Sequence, residues 1–416
     1  MKILTISSHD NVGGAARAAY NLYRGLQDSD LDSRMLVSNK SSSDHNIDGP
    51  KTKLGKLISM LAPYMDSLPR NLYQSSNMNL HSTAWYSNIK HKKINTYNAN
   101  IVHLHWVQAG AISVKTISKI KGPIVWTLHD MWAFSGAEHY SDGSLRYKEG
   151  YLKNNREKDE FGCDINRWVW ERKLKAYRSL NNLTIVTPSK WMGQCASESQ
   201  LLKGRRVEVI PVGVDHTLFC PRDKKVVREI LGMPLNKNII LIGAMNFLND
   251  KRKGGQLLKK ALKSFCQSGF HKNTELYIFG ISAPKDDEDF GLKTHYFGAG
   301  RDDLSLALLY SAVDVFVAPS IEENFAATVF ESLSCGIPVV AYNIGGMPDM
   351  ISHRNNGYLA EPFDTDDLAN GIEWILTDAP QKELSKNARQ YIERECTMEI
   401  QVSRYKSLYE SILKDS

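Results

Sequence analysis

The sequence predicts an α/β protein built from two doubly wound domains that face each other. Three observations lead to this prediction: the chain length, the alternation of apolar strands with amphipathic helices, and a restart of that alternation after Pro211. At 416 residues the chain is too long for one ordinary domain, and two domains of about 200 residues each are expected. Strands that alternate with helices form parallel sheets covered by helices on both faces.

The first half of the chain opens with a predicted buried strand at Lys2–Ser7, followed by Gly13-Gly14 and a helix from about Ala15 to Leu26. Apolar residues recur along that helix at the spacing of a helical face. Further strands are predicted at Ile101–His105, Ile124–Leu128 and Leu183–Thr187.

The second half repeats the pattern, which places domain boundaries at 1–210 and 211–396. Ligands of such domains bind at the carboxyl ends of the parallel strands. The predicted strands of the second half are Asn238–Ala244, Glu275–Gly280, Asp314–Ala318 and Pro338–Tyr342.

The charge is unevenly distributed along the chain. The net charge is +6, but residues 1–210 carry 29 basic and 18 acidic side chains, whereas the remainder carries 23 basic and 28 acidic ones. A basic first half suits an anionic partner, which could be a membrane surface, a polyphosphate-linked acceptor or nucleic acid. The alternative is a solvated surface without a partner.

Two segments depart from the strand–helix pattern. Residues 40–98 are rich in Ser, Asn and Lys and include a candidate amphipathic helix at Lys53–Leu61. We interpret this segment as an acceptor-side or membrane-side excursion, and the alternative is a decorative loop with one packed helix. Residues 135–170 form a second polar insertion, which we predict to be irregular.

Six scattered cysteines contain no Cys-x-x-Cys pair, which argues against a metal knuckle or a disulfide framework. The apolar start Met1–Ile6 is too short for a signal peptide, and no apolar run approaches the length of a membrane span. These features predict a cytoplasmic protein, with peripheral attachment to the inner face of the cell membrane left open.

Two carboxylates seven residues apart dominate the second half. Glu323 follows the strand Asp314–Ala318, and Glu331 lies on the next helix. Free N–H groups at the start of such a helix bind phosphates, and Thr328 and Val329 are the candidates. A carboxylate about two turns further, roughly 10 Å away, reaches the ribose of the same nucleotide. The stretch therefore predicts a site for a nucleotide-diphosphate sugar.

This stretch resembles the E-x7-E signature of the retaining GT-B glycosyltransferases of family four, the glycosyl transferases group 1. The string Thr127–Trp132 is similar to a subgroup from bacterial surface-polysaccharide clusters, although this chain keeps only Cys163 of that subgroup's downstream cysteines. The resemblance covers the whole chain and implies a GT-B fold of two facing Rossmann-like domains. It also implies that the final helix, within 397–416, crosses back to the first domain.

The resemblance implies roles for the donor site. Glu331 would bind the ribose and Glu323 the transferred sugar; Glu322 is the adjacent alternative, but its spacing to Glu331 is one residue too long. The family's E-G-F-G string keeps Phe325 here, whereas its glycines are replaced by Asn324 and Ala326, which predicts a narrower loop and a different sugar preference. Phe297, in a stretch that resembles the family's loop beside the base, completes the donor set.

Cationic residues follow the first strand of the second half. Lys253 matches a lysine that in the family stabilises the leaving diphosphate. The family's earlier arginine is replaced by Met245-Asn246-Phe247, so Arg252 is the natural substitute, and a solvated basic loop is the alternative. Gly13-Gly14 matches a loop that approaches the donor diphosphate or the acceptor, although ordinary turns also use two glycines.

Three polar residues of the first half end predicted strands. His129 would bind the sugar or stabilise developing charge, with a structural role as the alternative. His105 shares a strand face with His103, which predicts a packed or acceptor-side role and no metal ligation. Ser189 would contact the acceptor or the donor.

The resemblance implies a retaining, metal-independent hexosyltransferase with no cofactor. No carboxylate is an obvious nucleophile, and the family is thought to react by front-face attack. The expected partners are a UDP- or GDP-linked sugar, a glycan or polyprenyl-diphosphate-linked acceptor of capsule, O-antigen or exopolysaccharide synthesis, and an anionic membrane surface, with no nucleic acid. The alternatives are a small soluble acceptor or a non-catalytic nucleotide-sugar-binding protein.

Overall fold

The computed structural model describes residues 1–75, 80–243, 247, 250–267, 269–284, 289–298 and 302–415. The chain forms two compact units. The first contains Met1–Gly213 together with Gln401–Ser416, and the second contains Val214–Ile400. The chain therefore returns to the first unit near its C-terminus.

The strands of the described residues are short and mostly buried. In chain order they are β1 (Lys2–His9), β2 (Asp32–Asn39), β3 (Ile47–Asp48), β4 (Tyr73–Gln74), β5 (Ile101–Leu104), β6 (Ile124–Thr127), β7 (Phe161–Gly162), β8 (Leu183–Thr187), β9 (Arg206–Val209), β10 (Asn238–Gly243), β11 (Thr274–Phe279), β12 (Lys293–Tyr296), β13 (Val315–Ala318), β14 (Val339–Tyr342) and β15 (Gly357–Ala360).

Helices connect most of these strands. In chain order they are α1 (Gly14–Asp28), α2 (Lys53–Ser67), α3 (His91–Asn95), α4 (Val114–Ile117), α5 (Arg146–Glu149), α6 (Ile165–Tyr177), α7 (Lys190–Glu198), α8 (Lys224–Leu231), α9 (Gly255–Gln267), α10 (Asp303–Ala312), α11 (Ala327–Ser334), α12 (Met347–Met350), α13 (Thr365–Thr377), α14 (Gln381–Glu395) and α15 (Met398–Lys414), with short 3-10 helices at Leu68–Leu72, Lys153–Asn155, Lys251–Lys253 and Phe270–Asn273.

The first unit contains a parallel seven-stranded sheet in the order β3-β2-β1-β5-β6-β8-β9. The order reverses between β1 and β5, where Ile3 pairs with Ile101. The sequence predicts β1, β5, β6 and β8 correctly. It does not reveal β2, whose first residues are polar and partly exposed, nor the two edge strands β3 and β9.

The second unit contains a parallel six-stranded sheet in the order β12-β11-β10-β13-β14-β15. Its order reverses between β10 and β13, where Leu241 pairs with Phe316. Each reversal leaves a crevice at the carboxyl ends of the two central strands, which is where open α/β sheets bind ligands. The prediction of two Rossmann-like domains is confirmed.

Helix α1 buries the face that its sequence spacing predicts. Ala16, Ala19, Leu22, Tyr23 and Leu26 are all buried, and they recur every three or four residues. Leu22 and Leu26 belong to a cluster that also contains residues of β1 and α15.

The C-terminal helix α15 is attached to the first sheet by buried polar contacts. Tyr409 Oη lies 2.7 Å from His103 Nδ1, and Tyr405 Oη lies 2.7 Å from Thr127 Oγ1. His103 Nε2 in turn lies 2.7 Å from Thr127 Oγ1. The final helix therefore packs on the first domain, as the resemblance implies, through hydroxyl groups that neutral imidazole can pair with.

The segment 135–170 is more ordered than its polar composition predicts. Arg146 is buried and forms ion pairs with Glu160 (3.2 Å) and Asp164 (2.9 Å), and its guanidinium lies 4.5 Å from the Tyr151 ring centre. The backbone before α6 is irregular, as expected, with α5, the 3-10 helix Lys153–Asn155 and β7 as its short regular elements, but these ion pairs hold its polar side chains in the interior. Buried charges remain in the interior when they are paired in this way, and hydropathy alone does not reveal the pairing.

No helix in the described ranges is long and apolar enough to cross a membrane.

We predict that Tyr409→Phe lowers the free energy of unfolding of the first unit by about 1–3 kcal/mol, because it leaves His103 Nδ1 buried without this partner. Thermal and urea unfolding of the purified protein would measure the change. Tyr64→Phe is the matched control, because the Tyr64 side chain is 71% exposed and should tolerate the same deletion without loss. Equal stability of Tyr409→Phe and the wild type would contradict the role of this contact.

Candidate active site

The loops after β10 and β13 meet at the reversal point of the second sheet. Asp250 caps the short 3-10 helix Lys251–Lys253 by accepting a hydrogen bond from the Arg252 amide. The segment after β13 enters α11, with the N-cap at Ala326. The Ile321 amide donates to the Arg252 carbonyl oxygen (2.8 Å), which joins the two loops directly.

Two cations converge on one buried carboxylate at this junction. Lys253 Nζ lies 2.6 Å and Arg252 Nη1 lies 3.2 Å from Glu323 Oε2. Arg252 also donates to the Glu322 carbonyl oxygen (2.9 Å), and the Asn324 amide donates to Glu323 Oε1 (3.1 Å). The structure therefore brings together Glu323, Lys253 and Arg252, three of the predicted site residues.

The electrostatics keep Glu323 ionised. Burial by itself would raise the pKa of this carboxyl group, but Lys253, Arg252 and the Asn324 amide outweigh burial and lower the pKa to about 2. A carboxylate in this state only accepts hydrogen bonds. Because the ammonium of Lys253 carries three N–H donors, its bond to Glu323 leaves donors that can point at a second anion.

Two glycines allow the backbone of the Glu323 loop to pack closely against neighbouring backbone. Gly254 has φ +70°, and a Cβ atom there would overlap the Pro319 carbonyl oxygen. Gly345 has φ +52°, and a Cβ atom there would overlap the Glu323 carbonyl oxygen. Both positions therefore require glycine, for the left-handed backbone and for the close approach.

Glu331 lies on α11 and is buried, and its Oε2 accepts a hydrogen bond from the Tyr310 hydroxyl group (3.1 Å). Ala326 provides no side-chain cap for this helix. Of the two amides predicted to bind phosphate, that of Val329 donates to the Ala326 carbonyl oxygen (3.0 Å), so the first turn already uses it. Thr328 is half-buried at the same helix start.

The aromatic residues of the predicted donor site occupy separate positions. The rings of Phe325 and Phe330 have centres 5.3 Å apart. Phe297 follows β12, is half-buried, and has its ring centre 5.6 Å from that of Tyr277. Of the stretch that replaces the family's arginine, Phe247 is in the core, while Met245 and Asn246 lie outside the described residues.

In the first unit, Gly13 and Gly14 form an open start to α1. Gly13 is the N-cap, with φ +90°, and a Cβ atom at either glycine would meet no described heavy atom within 4 Å. The first turn of α1 contains no acidic residue. The positive end of this 15-residue helix is therefore accessible to an anion.

The predicted histidines of the first unit form a chain from the core to the surface. His129 Nε2 lies 3.0 Å from His105 Nδ1, and the ring centres of His105 and His103 are 4.2 Å apart. His129 is half-buried, whereas the other two are buried. Burial lowers the pKa of His129 to about 4, although Asp130 opposes the shift, so its imidazole is neutral at pH 7.

Ser189 has a structural use that its sequence position does not indicate. It is fully buried, and its Oγ accepts a hydrogen bond from the Met192 amide (3.1 Å) as the N-cap of α7. The hydroxyl oxygen therefore serves as a helix cap, and its predicted contact with the acceptor or the donor stays a prediction.

Sequence reasoning missed several residues that build the site. Tyr310 contacts Glu331 from α10, and no local pattern links these two positions. Gly254 and Gly345 were not singled out for the close approaches they permit. A glycine that follows a cationic loop directly, or a buried strand within a few residues, was the available signal, but only the fold shows which neighbouring backbone comes close to it.

Two family models match the chain. Residues 223–393 match the model described as Glycosyl transferases group 1, and residues 12–218 match the model described as Glycosyltransferase Family 4. Together these matches cover most of the chain, and the first contains Glu323, Glu331, Lys253 and Arg252.

A curated relative gives a partial match. D-inositol 3-phosphate glycosyltransferase of Arthrobacter sp. (strain FB24) is 31% identical over 183 residues, which are 41% of this chain and 42% of the relative. The chain spans about half the length of the curated relatives it matches.

Solved structures match over nearly the full length. Sucrose-phosphate synthase of Thermosynechococcus elongatus superposes with a TM-score of 0.69 at 18% identity, covering 100% of both chains. HepE of Anabaena in complex with UDP superposes with a TM-score of 0.64 at 17% identity, covering 99% of this chain and 100% of HepE. At these identities the likeness shows the fold, which is GT-B.

We predict that Gly254→Ala destabilises the second unit by several kcal/mol, because the left-handed backbone is strained and the new Cβ meets the Pro319 carbonyl. Gly232→Ala is the matched control. Gly232 has nearly the same φ, +66°, but a Cβ there meets no described atom within 4 Å. Urea unfolding should show a loss of only about 1 kcal/mol for the control. Equal losses would contradict the close approach.

A second prediction concerns acid stability. The folded-state pKa of Glu323, about 2, lies below its ordinary value of 4.5. The ion-paired carboxylate therefore stabilises the fold above about pH 4.5, and we expect about 3 kcal/mol to be lost as the pH falls towards 2. Unfolding of wild type and Glu323→Gln at a series of pH values measures this difference. A difference that stays constant across the acid range would rule out the ion pair.

Proposed function

The chain belongs to the glycosyl transferases group 1 family, and we propose that it transfers a sugar from a nucleoside-diphosphate sugar to an acceptor hydroxyl group. The observation behind this proposal is the Lys253–Glu323–Arg252 cluster at the carboxyl edge of the second sheet. At the junction of two loops, this cluster places an ionised carboxylate that can accept hydrogen bonds from sugar hydroxyl groups beside two cations that can bind a diphosphate.

The cations would act on the leaving group. When the bond between the anomeric carbon and the diphosphate oxygen breaks, that oxygen gains negative charge, and a fixed ammonium or guanidinium lowers the barrier. Lys253 and Arg252 are held by Glu323 before a ligand arrives, so little reorganisation is needed. The Thr328 amide at the start of α11 would add an N–H donor, because the Ala326 side chain does not cap this helix and the Val329 amide is already bonded within the first turn. This arrangement supports a transfer that needs no metal ion or cofactor.

Glu323 would bind hydroxyl groups of the transferred sugar. A pKa of about 2 means that it accepts hydrogen bonds at every physiological pH. The Glu323 carbonyl oxygen accepts a hydrogen bond from the Gly346 amide (3.0 Å). The backbone and the carboxylate of Glu323 are therefore both held by neighbouring loops. Asn324 and Ala326 stand where the family has glycines, and Asn324 is buried, which supports a narrower sugar pocket.

Glu331 would bind the ribose, and Phe297 would lie beside the base. The Tyr310 hydroxyl group orients the Glu331 carboxylate, which leaves it able to accept further hydrogen bonds from ribose hydroxyls. HepE has been solved with UDP and with UDP-glucose, so a uridine nucleotide is the first donor to test. A GDP-linked sugar is the alternative.

We propose retention of the anomeric configuration by front-face attack. The acceptor oxygen would bond to the anomeric carbon on the side that the diphosphate leaves, and the leaving oxygen would take the acceptor proton. Neutral His129, with its ring held by His105, suits hydrogen bonding to a sugar hydroxyl and not charge pairing. Gly13 and Gly14 offer an open helix start to a phosphate of the donor or the acceptor.

The proposed acceptor is a glycan, carried on a polyprenyl diphosphate, in capsule, O-antigen or exopolysaccharide synthesis. The basic first half supports an anionic acceptor. A small soluble acceptor is the second candidate, because the Arthrobacter relative is named for inositol 3-phosphate. In both cases the donor site would be the same.

We predict that one nucleoside diphosphate, UDP first and then GDP or ADP, binds the purified protein and that Glu331→Ala weakens this binding at least about tenfold through loss of the ribose contact. Calorimetry would measure both affinities. The 2′-deoxy and 3′-deoxy forms of the same nucleotide are the matched ligands. If Glu331 binds a ribose hydroxyl group, the wild type and Glu331→Ala should bind one of these two deoxy nucleotides with equal affinity.

Turnover distinguishes an enzyme from a binding protein. Lys253→Ala should lower kcat for transfer or donor hydrolysis about 100-fold or more, because the leaving diphosphate loses one of the two cations proposed to stabilise it. NMR of the product should show the donor's anomeric configuration, and EDTA should leave the rate unchanged. Unaltered turnover in Lys253→Ala, inversion, or an equal nucleotide affinity of Glu331→Ala would overturn the corresponding part of the proposal.

A further inference from the structure

Helix α2 presents its apolar side to solvent and its polar side to the protein. Its buried residues are Ser59, Ala62 and Asp66, which are small or polar. At about 100° per residue, a stripe of large apolar side chains spans roughly 120° on the side away from them. We name this stripe the α2 face; its members are Leu54, Leu57, Ile58, Leu61, Tyr64, Met65 and Leu68.

The polar side of α2 is firmly attached. The Asp66 carboxylate accepts hydrogen bonds from the amides of Trp85 (3.0 Å), Ala84 (3.2 Å) and Tyr86 (3.3 Å). Ser59 Oγ donates to the Ser38 carbonyl oxygen. This orientation is thus set by specific buried bonds, which outweigh the tendency of the apolar side to turn inward.

Close backbone contact holds the middle of the helix. Gly110 has φ +73°, and a Cβ atom there would overlap the Ala62 carbonyl oxygen. A side chain at position 110 would push the helix away from the loop that contains Gly110. The helix therefore packs on the first unit through its small and polar residues, and the side chains of the α2 face stay outside the core.

The exposure of the α2 face is large. Leu54 is 66% exposed, Leu57 52%, Leu61 48% and Tyr64 71%. Trp85, 41% exposed, donates from Nε1 to the Met65 carbonyl oxygen (2.8 Å) and so extends the face at its C-terminal end. Contiguous apolar patches of this kind mark docking surfaces. Tyrosine and tryptophan suit the boundary between lipid and water.

The exposed charges within residues 53–72 are all positive. Lys53, Lys56 and Arg70 are exposed, and the acidic residue of this stretch, Asp66, is buried. Lys51, just before the helix, forms an ion pair with Asp48 (3.6 Å). Lysines bordering an apolar helix face are attracted to anionic lipid headgroups, at about 1 kcal/mol per cation near the surface. A twofold pairing of two copies through this face would instead bring like charges together.

We propose that the α2 face docks on an anionic lipid surface, with α2 lying in the plane of the membrane and its apolar side chains among the lipid chains. The anchoring through Asp66 and Ser59 then fixes which side of the first unit meets the membrane. The proposal is independent of the donor site, because none of its residues belongs to the second unit.

Flotation of the full chain with vesicles tests the proposal. The wild type should bind phosphatidylcholine vesicles containing phosphatidylglycerol more tightly than pure phosphatidylcholine, and added salt should weaken the binding. The double variant Leu57→Gln/Leu61→Gln should bind at least about tenfold more weakly. Its matched control is Ile230→Gln/Leu304→Gln, which changes residues of the second unit that are at least as exposed and should bind like the wild type.

Charge-reversal variants test the contribution of the lysines to vesicle binding. Lys53→Glu/Lys56→Glu should weaken binding to anionic vesicles about tenfold or more, whereas Lys203→Glu/Lys225→Glu, with the same change in net charge, should have a smaller effect. Circular dichroism and nucleotide affinity should be unchanged in the leucine variant, and Lys253→Ala should bind vesicles normally. These readouts separate a failure of this proposal from a failure of the proposed enzymatic activity.

Three results would overturn the proposal. The first is no preference of the wild type for anionic vesicles, and the second is equal binding by Leu57→Gln/Leu61→Gln. The third is a dimer, detected by light scattering, that the same leucine variant abolishes and that vesicles do not displace. That last result would assign the α2 face to a second copy of the chain.

Discussion

The ion pairs of Glu323 with Lys253 and Arg252 are the interaction on which the candidate site depends. A buried carboxylate is unfavourable without compensating charges, and two partly buried cations on a loop are likewise unfavourable without the carboxylate. Their pairing fixes the loops after β10 and β13 against each other. The glycines at 254 and 345 make this possible, since each allows a neighbouring carbonyl to approach where a Cβ would stand. These contacts produce the preorganised cluster on which the proposed donor site is based.

In the first unit, the carboxyl ends of the central strands carry different groups from those of the second unit. Its strand ends carry neutral imidazoles, which bond to each other and to the hydroxyl groups of Tyr409 and Thr127. Uncharged groups of this kind can be buried at low cost when they are hydrogen-bonded. The first unit thus offers neutral imidazoles and an open helix start, and the Asp130 carboxylate beside His129 is paired with His139 (2.6 Å). The α2 face belongs to the first unit as well, so the unit with the basic excess carries the surface proposed for lipid.

Most of the strands and the donor-site loops could be predicted from sequence, because buried parallel strands are nearly continuous apolar runs. β2 was missed since its first three residues, Asp32, Ser33 and Arg34, hide the pattern. Glu323, Lys253 and Arg252 were recognised by motif and by their positions after strands. Their direct ion pairing, and the contact of Tyr310 with Glu331, join residues that are far apart in sequence and follow no local spacing.

The sequence by itself determined the two α/β domains, the family resemblance and which residues end the central strands, because hydrophobic periodicity and short motifs are local properties. Only the tertiary structure decided that Ser189 is used as a helix cap, that Arg146 is paired in the interior, and that α2 turns its apolar side outward. An amphipathic pattern gives two faces but does not say which one is buried. For α2 that choice was made by Asp66 and Ser59, whose partners at positions 84–86 and 38 lie in other parts of the chain.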